Sequence, residues 1–187
     1  TFTQTGGNIN DNGQDGIRTE AGNTTLNLSG GWNYGNKRNA IWNYGTATIN
    51  NTYGMGYTSW SNTDNFVSAN NVNGNIYNKG TFTVNTNTGY VCSAHNGSGY
   101  HIYNDTGGTF NMWWGDSGTY HMAMGGTVST AIVNKGTFTM NKGTVMNAQT
   151  GVQNYAGAKF TFAGGTIKKC TTRGVTNSGT FTMTAGT

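Results

Sequence analysis

Residues 132–146 read IVNKGTFTMNKGTVM, and this stretch contains most of one period of a pattern that runs along the whole chain. Apolar and polar residues alternate within it. Phe138 and Met140 point to one side of an extended backbone, whereas Thr137 and Thr139 point to the other. Alternation with a period of two is typical of a β-strand, and Thr, Val, Ile and Phe all favour pleated surfaces. The stretch therefore predicts a strand, and so does each of its copies.

The Thr-Phe-Thr-Met phrase has eight copies, and successive copies start 21 to 35 residues apart. Before each copy after the first lies an Ile or Val followed two residues later by Asn (Thr in the first case), and several copies are followed by Gly-Thr and then Ile or Val. Repeats of this length indicate stacked units that contact only their neighbours. The predicted fold class is all-β: a single-stranded parallel β-helix (β-solenoid) of about seven coils of 21–35 residues, with three short strands per coil.

Stacking of the coils predicts columns of residues at matching phase. Three columns point inward, and they contain the Phe of the phrase, its Met, and the preceding Ile or Val. A fourth column contains the Asn residues, whose amides can bond from coil to coil. The glycines just after them are expected to supply corners with positive φ. These glycines are Gly45, Gly80, Gly108, Gly136 and Gly179.

The whole chain, residues 1–187, is predicted to be one solenoid domain with loop insertions around 50–75, 85–100 and 113–124. Both ends fall at the same phase of the repeat, so we expect a window of a longer repeat protein. Charged residues are 9% of the chain, and the net charge of +4 is spread out, which argues against nucleic-acid binding. No apolar run has the length of a membrane span.

The phrases that begin at Asn134, Asn177 and Phe162 (NKGTFTM, NSGTFTMT and FAGGTI) resemble the repeats of large bacterial surface proteins. Those proteins contain right-handed β-helix regions and are described as adhesin-like. The resemblance covers nearly the whole chain and is weakest across residues 50–75. It implies a right-handed helix and a secreted or cell-surface protein that adheres to a glycan or to a host or cell surface. It transfers no catalytic residues.

The polar residues do not predict an enzyme, a cofactor or a metal site. Polysaccharide-degrading β-helices need clustered carboxylates, but no two acids here fall at the same phase of adjacent coils; the acids are Asp11, Asp15, Glu20, Asp64, Asp105 and Asp116. The histidines have no metal-ligand spacing and are expected at the surface or in turns; they are His95, His101 and His121. Cys92 and Cys170 lie three coils apart, about 14 Å, too far for a disulfide. We expect two unpaired, buried thiols.

Aromatic residues give the clearest indication of a binding face. They concentrate in coils two to five, where the coils are also longest, and extra length in a solenoid forms loops on one face. Sugar rings stack on such surfaces while Asn, Gln and Thr bond their hydroxyls. The alternative is that the loops fold back and bury these rings. The predicted glycan-binding residues are Trp32, Tyr34, Trp42, Tyr44, Tyr77, Tyr103, Trp113 and Trp114.

The sequence leaves other functions open beside an extracellular, adhesin-like binding module. Solenoid ends without caps expose strand edges that could stack into a filament with a second copy of the chain. The recurring Thr-x-Thr pairs resemble the flat Thr array of ice-binding β-solenoids, although Asn27, Asn111 and Lys159 interrupt it. A polysaccharide-degrading enzyme is the alternative that the sequence favours least.

Overall fold

A computed structural model describes residues 1–50, 67–69, 73–86, 92–93, 99–114 and 128–187. Within these ranges the chain forms nineteen strands and no helix. Numbered in chain order, the strands are β1 Phe2–Asn10, β2 Ile17–Thr19, β3 Thr25–Tyr34, β4 Asn39–Asn43, β5 Thr46–Ile49, β6 Val67–Ala69, β7 Gly74–Asn78, β8 Thr81–Thr86, β9 Cys92–Ser93, β10 Tyr100–Asn104, β11 Thr109–Trp114, β12 Val128–Asn134, β13 Thr137–Met140, β14 Thr144–Met146, β15 Ala148–Asn154, β16 Lys159–Phe162, β17 Thr166–Lys168, β18 Arg173–Asn177 and β19 Thr180–Met183.

The strands form two long sheets and one short sheet, and the pairs within them are parallel. We call the sheet that contains the Thr-Phe-Thr-Met strands the Phe sheet, and the sheet that contains the Asn column the Asn sheet. The Phe sheet has ten strands in the order β19-β16-β13-β11-β8-β5-β3-β6-β9, with β1 paired to β3. The Asn sheet has seven strands in the order β18-β15-β12-β10-β7-β4-β2, and β14 pairs with β17. Neighbours in each long sheet come from successive coils, so the fold is the predicted parallel β-solenoid.

The third side of the solenoid is less regular than predicted. On this side β14 pairs with β17, and β6 pairs with β9. In the N-terminal coils, β1 and β3 instead continue past a bend, where Gly31 has a φ of +96°, and β3 then pairs with β6. The coil count differs slightly from the prediction, at about five turns against seven predicted coils. The predicted insertions lie largely outside the described residues.

The inward columns form the core, as the repeat predicts. Phe82, Phe110, Phe138, Phe160 and Phe181 stack with ring centroids 4.8–5.5 Å apart and nearly parallel planes. Four of these five rings are fully buried, and burial of one such side chain contributes about 1.5–3 kcal/mol. At the end coils the same columns reach solvent: Phe2 is 46% exposed and Met183 is 54% exposed. The Phe column and the C-terminal end of the Met column therefore lose their cover at the ends of the solenoid, whereas Ile17 and Gln4 of the first coil stay buried.

The Asn column forms a continuous ladder of hydrogen bonds. The side-chain amide of each Asn donates to the amide oxygen of the Asn one coil further on, over 2.7–2.9 Å. In the first coil the Thr19 hydroxyl donates to Asn43 in the same way. Each amide inside the column is fully buried, and it also donates to the backbone carbonyl of the first residue of a Phe-sheet strand in the next coil. The Asn residues are therefore structural; they are Asn43, Asn78, Asn104, Asn134, Asn154 and Asn177.

The prediction that the glycines after the Asn column have positive φ is wrong. Positive-φ glycines lie elsewhere, for example at Gly107 and Gly157. At Gly80 and Gly136 a Cβ atom would collide with the backbone oxygen of Gly45 or Gly108 in the preceding coil. These glycines are thus required by the close approach of stacked turns, a property that a single coil does not display.

Candidate binding face

The outward residue between the Ile or Val and the Asn forms a column on the solvent side of the Asn sheet. In three successive strands this residue is aromatic, namely Trp42, Tyr77 and Tyr103, and parallel pairing places them in register. The ring centroids of Trp42 and Tyr77 are 4.0 Å apart, and those of Tyr77 and Tyr103 are 5.4 Å apart, with interplanar angles of 20° and 15°. We call these three residues the aromatic ladder.

Two further tyrosines flank the aromatic ladder. Tyr44, in the turn after β4, lies 6.0 Å from Trp42 between ring centroids. Tyr100, at the start of β10, packs tilted against Tyr103 at 5.1 Å, and its hydroxyl donates a 2.8 Å bond to Asn39. Burial raises the pKa of Tyr100, so its hydroxyl stays protonated. Tyr100 thus anchors one edge of the ladder to the core.

Cations lie over the exposed ring faces at both ends of the ladder. The Arg38 guanidinium lies 4.2 Å from the centroid of Trp42, and that of Arg18 lies 5.7 Å away. At the other end the Lys135 ammonium lies 5.1 Å from the centroids of both Tyr103 and Tyr155. Its interaction with the Tyr103 hydroxyl raises the pKa of Lys135. Such cation–π contacts are worth about 0.5–1 kcal/mol at exposed sites.

Three of the four described acidic side chains pair with groups near the ladder, and the fourth, Asp11, accepts a hydrogen bond from Asn10. Asp105 accepts a hydrogen bond from the Tyr77 hydroxyl, and burial together with this bond raises the pKa of Tyr77. Glu20 bonds Arg18 at 2.8 Å, and Asp15 lies 3.8 Å from Arg38. In the described part of the chain no three His, Cys, Asp or Glu residues form a group that could hold a metal ion. Asp64 and Asp116 lie outside the described residues.

The orientation of the rings determines what the face can contact. Because Trp42 and Tyr77 stack on each other, and because Arg38 lies over Trp42, these ring faces are already covered. All three ladder side chains are half-buried. A ligand on this face therefore meets ring edges, phenol hydroxyls and cations. The flat stacking platform expected from the sequence is not formed by these three rings.

Of the eight predicted site residues, four lie together: Trp42, Tyr44, Tyr77 and Tyr103. Trp113 is 53% exposed, but it lies on β11 in the Phe sheet, not on the Asn sheet with the ladder. Trp32, Tyr34 and Trp114 belong to strands β3 and β11, and their side chains lie outside the described part of the structure.

Sequence reasoning missed Arg38, Tyr100, Lys135 and Tyr155 as members of this face. Lys135 directly follows Asn134, and Tyr155 directly follows Asn154, so both occupy the position after the Asn column. This shared position in the repeat was the signal that could have identified them. Tyr100 lies two residues before Ile102, a phase that carries no aromatic in neighbouring strands, since Gly74 and Thr130 are its partners.

The expectation of surface or turn histidines is wrong for His101, which is fully buried on β10. Its Nδ1 lies 3.3 Å from the amide nitrogen of Asn75, and burial lowers the pKa of His101 to about 3. Cys170 is free, as predicted, but only half-buried. His95 and His121 lie outside the described residues, as does the side chain of Cys92.

No family model matches this sequence, and neither the curated proteins nor the solved structures include a match. The described residues include no helix that is long and apolar enough to cross a membrane.

Proposed function

We propose that this protein is an extracellular, adhesin-like β-solenoid that binds glycans along the aromatic ladder. The observation that carries the proposal is the ladder itself. Three aromatic side chains occupy the outward column of consecutive strands, while Val133, Gln153 and Thr176 occupy it in the later coils. Aromatic residues on an outward column are costly unless they pack or bind, and here packing leaves all three side chains only half-buried.

The chemistry of the ladder suits a polyhydroxylated ligand. Tyr hydroxyls and Arg or Lys side chains can exchange hydrogen bonds with sugar hydroxyls, while the ring edges give apolar contact. The coil spacing of about 4.8 Å presents these groups as a regular row. Such a row favours an extended oligosaccharide over a compact small molecule.

A glycan array with matched variants tests this proposal. Trp42→Val and Tyr103→Val introduce the residue that already occupies the same column at Val133, so the fold should survive. Loss of one aromatic anchor should weaken binding about tenfold or more. The control is Thr176→Val, which makes the same kind of change in the same column outside the ladder. Unchanged binding in both ladder variants would remove the ladder from the function.

The Phe sheet supports a second candidate, ice binding. Its outward residues form two columns in register, and Thr46, Thr81 and Thr137 belong to one of them. Asn27, Asn111 and Lys159 replace Thr at three points, as the sequence indicates. Thermal hysteresis of the purified protein tests this candidate. Thr139→Tyr should abolish any hysteresis, and its complete absence in the natural protein would eliminate ice binding.

A further inference from the structure

The turns between the Asn sheet and the Phe sheet differ in length from coil to coil. Two residues, Lys135 and Gly136, join β12 to β13, whereas four residues join β10 to β11 (105–108) and β15 to β16 (155–158). A short turn therefore lies between two long ones. Since coils are about 4.8 Å apart, the two long turns stand about 10 Å from each other and leave a groove over the short turn.

This turn groove has a defined lining. It encloses about 200 Å³, with Lys135, Gly136 and Thr137 at its floor, Thr106 to Gly108 on one side, and Gly157 and Lys159 on the other. Pockets that hold drug-sized ligands are roughly 300–1,000 Å³, so the turn groove suits one sugar ring. Gly107 and Gly157 carry no side chain, and no atom lies within 4 Å of the position that a Cβ would take. Both walls of the turn groove are therefore open at these residues.

The charge of the turn groove is positive. Lys135 and Lys159 line it, and none of its described lining residues is acidic. One carboxylate lies beside the lining: Asp105 precedes Thr106, accepts a hydrogen bond from the Tyr77 hydroxyl and interacts electrostatically with Lys135. Lys159 is therefore the lysine of the groove on which we base the test. Thr106 and Thr137 add hydroxyl groups to the lining. Beside Lys135 lies Tyr155, which is 42% exposed and, unlike the ladder rings, offers an accessible aromatic surface.

We propose that the turn groove binds a sugar unit bearing a carboxylate or a sulfate group. The anionic group lies between Lys135 and Lys159, where charge-assisted hydrogen bonds form, and the sugar ring contacts Thr106, Thr137 and Tyr155. This inference rests on the proposed glycan binding and names the class of glycan. The turn groove lies at the end of the aromatic ladder, because Lys135 contacts Tyr103 as well as lining the groove.

Isothermal titration of the full chain with three probes of equal length tests the proposal. The probes are an oligogalacturonate, a 6-sulfated galacto-oligosaccharide and a neutral galacto-oligosaccharide. We expect one or both anionic probes to bind at least tenfold more tightly than the neutral probe, and this preference should shrink as salt is raised. Equal affinity for all three probes, or no binding of either anionic probe, would overturn the proposal.

Two variants locate the site. Lys159→Thr restores the residue found at the same register at Thr137 and Thr180, so it removes one charge without disturbing the strand. It should weaken binding of the anionic probe about tenfold, as expected for one charge-assisted bond. The matched control is Lys79→Gln, because Lys79 occupies the same turn position as Lys135. Its turn has a long turn (105–108) on one side and a short turn (44–45) on the other, so no groove forms between two long turns there.

The outcomes separate this inference from the proposed function. Equal loss in Lys79→Gln and Lys159→Thr would mean that net charge alone attracts the probe, and the turn groove would be dismissed. Binding that depends on Trp42 and Tyr103 but not on Lys159 would leave the ladder proposal standing and reject the groove. Binding that depends on Lys159 but not on Trp42 or Tyr103 would support the turn groove and reject the aromatic ladder as the binding site.

Discussion

At the scale of single residues, the Asn column shows how a polar group becomes part of the core. The Asn104 amide donates to Asn134, Gly108 and Thr137, and its oxygen accepts from Asn78. The Asn104 side chain is fully buried, so water cannot reach it and replace these bonds. The Asn column therefore stabilises the turn within a coil and the contact between coils at once.

Asn104→Ala should lower the free energy of unfolding by about 3 kcal/mol, because it leaves several buried partners unsatisfied at about 1–3 kcal/mol each. Asn177→Ala is the matched control. Asn177 is exposed at the end of the Asn column, where water can replace the bond that it accepts from Asn154 and the bond that it donates to Gly179. We therefore expect a loss below about 1 kcal/mol. Urea unfolding followed by circular dichroism measures both. Similar losses in the two variants would contradict a role that depends on burial.

Gly136 is predicted to resist any side chain. In Gly136→Ala the new methyl group would meet backbone oxygens of Gly108 and Asp105, so the turn must move and stability should fall by about 2 kcal/mol. Gly13→Ala is the control, because no atom lies within 4 Å of its Cβ position. Thermal unfolding of both variants checks the difference. A Gly136→Ala protein as stable as the control would mean that stacked turns have room to separate.

His101 should make stability depend on pH. Its pKa is about 3 in the folded chain against an ordinary value of 6.5, so the unfolded chain binds the proton first as pH falls. The free energy of unfolding therefore declines as pH drops from about 6.5 towards 3, by up to about 1.4 kcal/mol per pH unit. His101→Asn, which copies the residue at the same register at Asn75, should flatten this slope. Parallel pH profiles for the two proteins would refute the assignment.

At the scale of strands and turns, the sequence predicts what depends on register and misses what depends on contact between coils. The Phe, Met, Ile and Asn columns follow from alternation alone, because a parallel solenoid repeats its phase in every coil. The role of Gly136 was misjudged because its restriction comes from Gly108 in the coil below. His101 was misjudged because its column, which includes Ala40 and Ala131, is buried beside the Ile column.

The aromatic ladder was predicted as a set of neighbours but not as a stack. Phase places Trp42, Tyr77 and Tyr103 in one column, whereas the tilt of each ring depends on packing against the ring in the next coil. The turn groove is a related case. Its origin is visible as four residues between Asn104 and Thr109 against two between Asn134 and Thr137, but a difference in loop length does not reveal what lines the gap.

Stacking within the ladder should appear as a measurable coupling. We expect Trp42→Val and Tyr77→Val to be non-additive in a double-mutant cycle, with a coupling free energy of about 0.5–1.5 kcal/mol, the range for aromatic pairs. Trp42 with Thr176→Val provides the control pair, since these residues lie at distant positions in the same column. Chemical unfolding of the single and double variants gives the cycle. Strict additivity for Trp42 and Tyr77 would mean that the rings do not support each other.

At the scale of the whole molecule, each coil is held chiefly by the coil before it and the coil after it. The stability of the solenoid is thus approximately a sum of contributions from the interfaces between neighbouring coils. A whole coil can therefore be removed, provided that the remaining strands keep their register. Ile132 pairs with Val152 and Asn134 pairs with Asn154, so residues 132–151 make up one such period. After its removal, Phe110 would stack on Phe160 and Asn104 would bond Asn154.

Deletion of residues 132–151 should therefore give a folded, shorter solenoid. Its far-ultraviolet circular dichroism spectrum should keep the β-sheet shape of the full chain. Deletion of residues 133–151 is the control. It is one residue shorter, so it shifts the phase by one and turns the inward residues of the affected strand outward. This second protein should fail to fold. Two equally folded products would show that phase does not define the coil.

The in-phase deletion also separates the two binding regions. It removes Lys135 and the short turn, so the long turns 105–108 and 155–158 become neighbours and the turn groove closes, while Trp42, Tyr77 and Tyr103 remain stacked. Binding of the anionic oligosaccharide should fall to the level of the neutral one, and any ladder-dependent glycan binding should persist. Retention of the anionic preference in this folded, shortened protein would place that preference outside the turn groove.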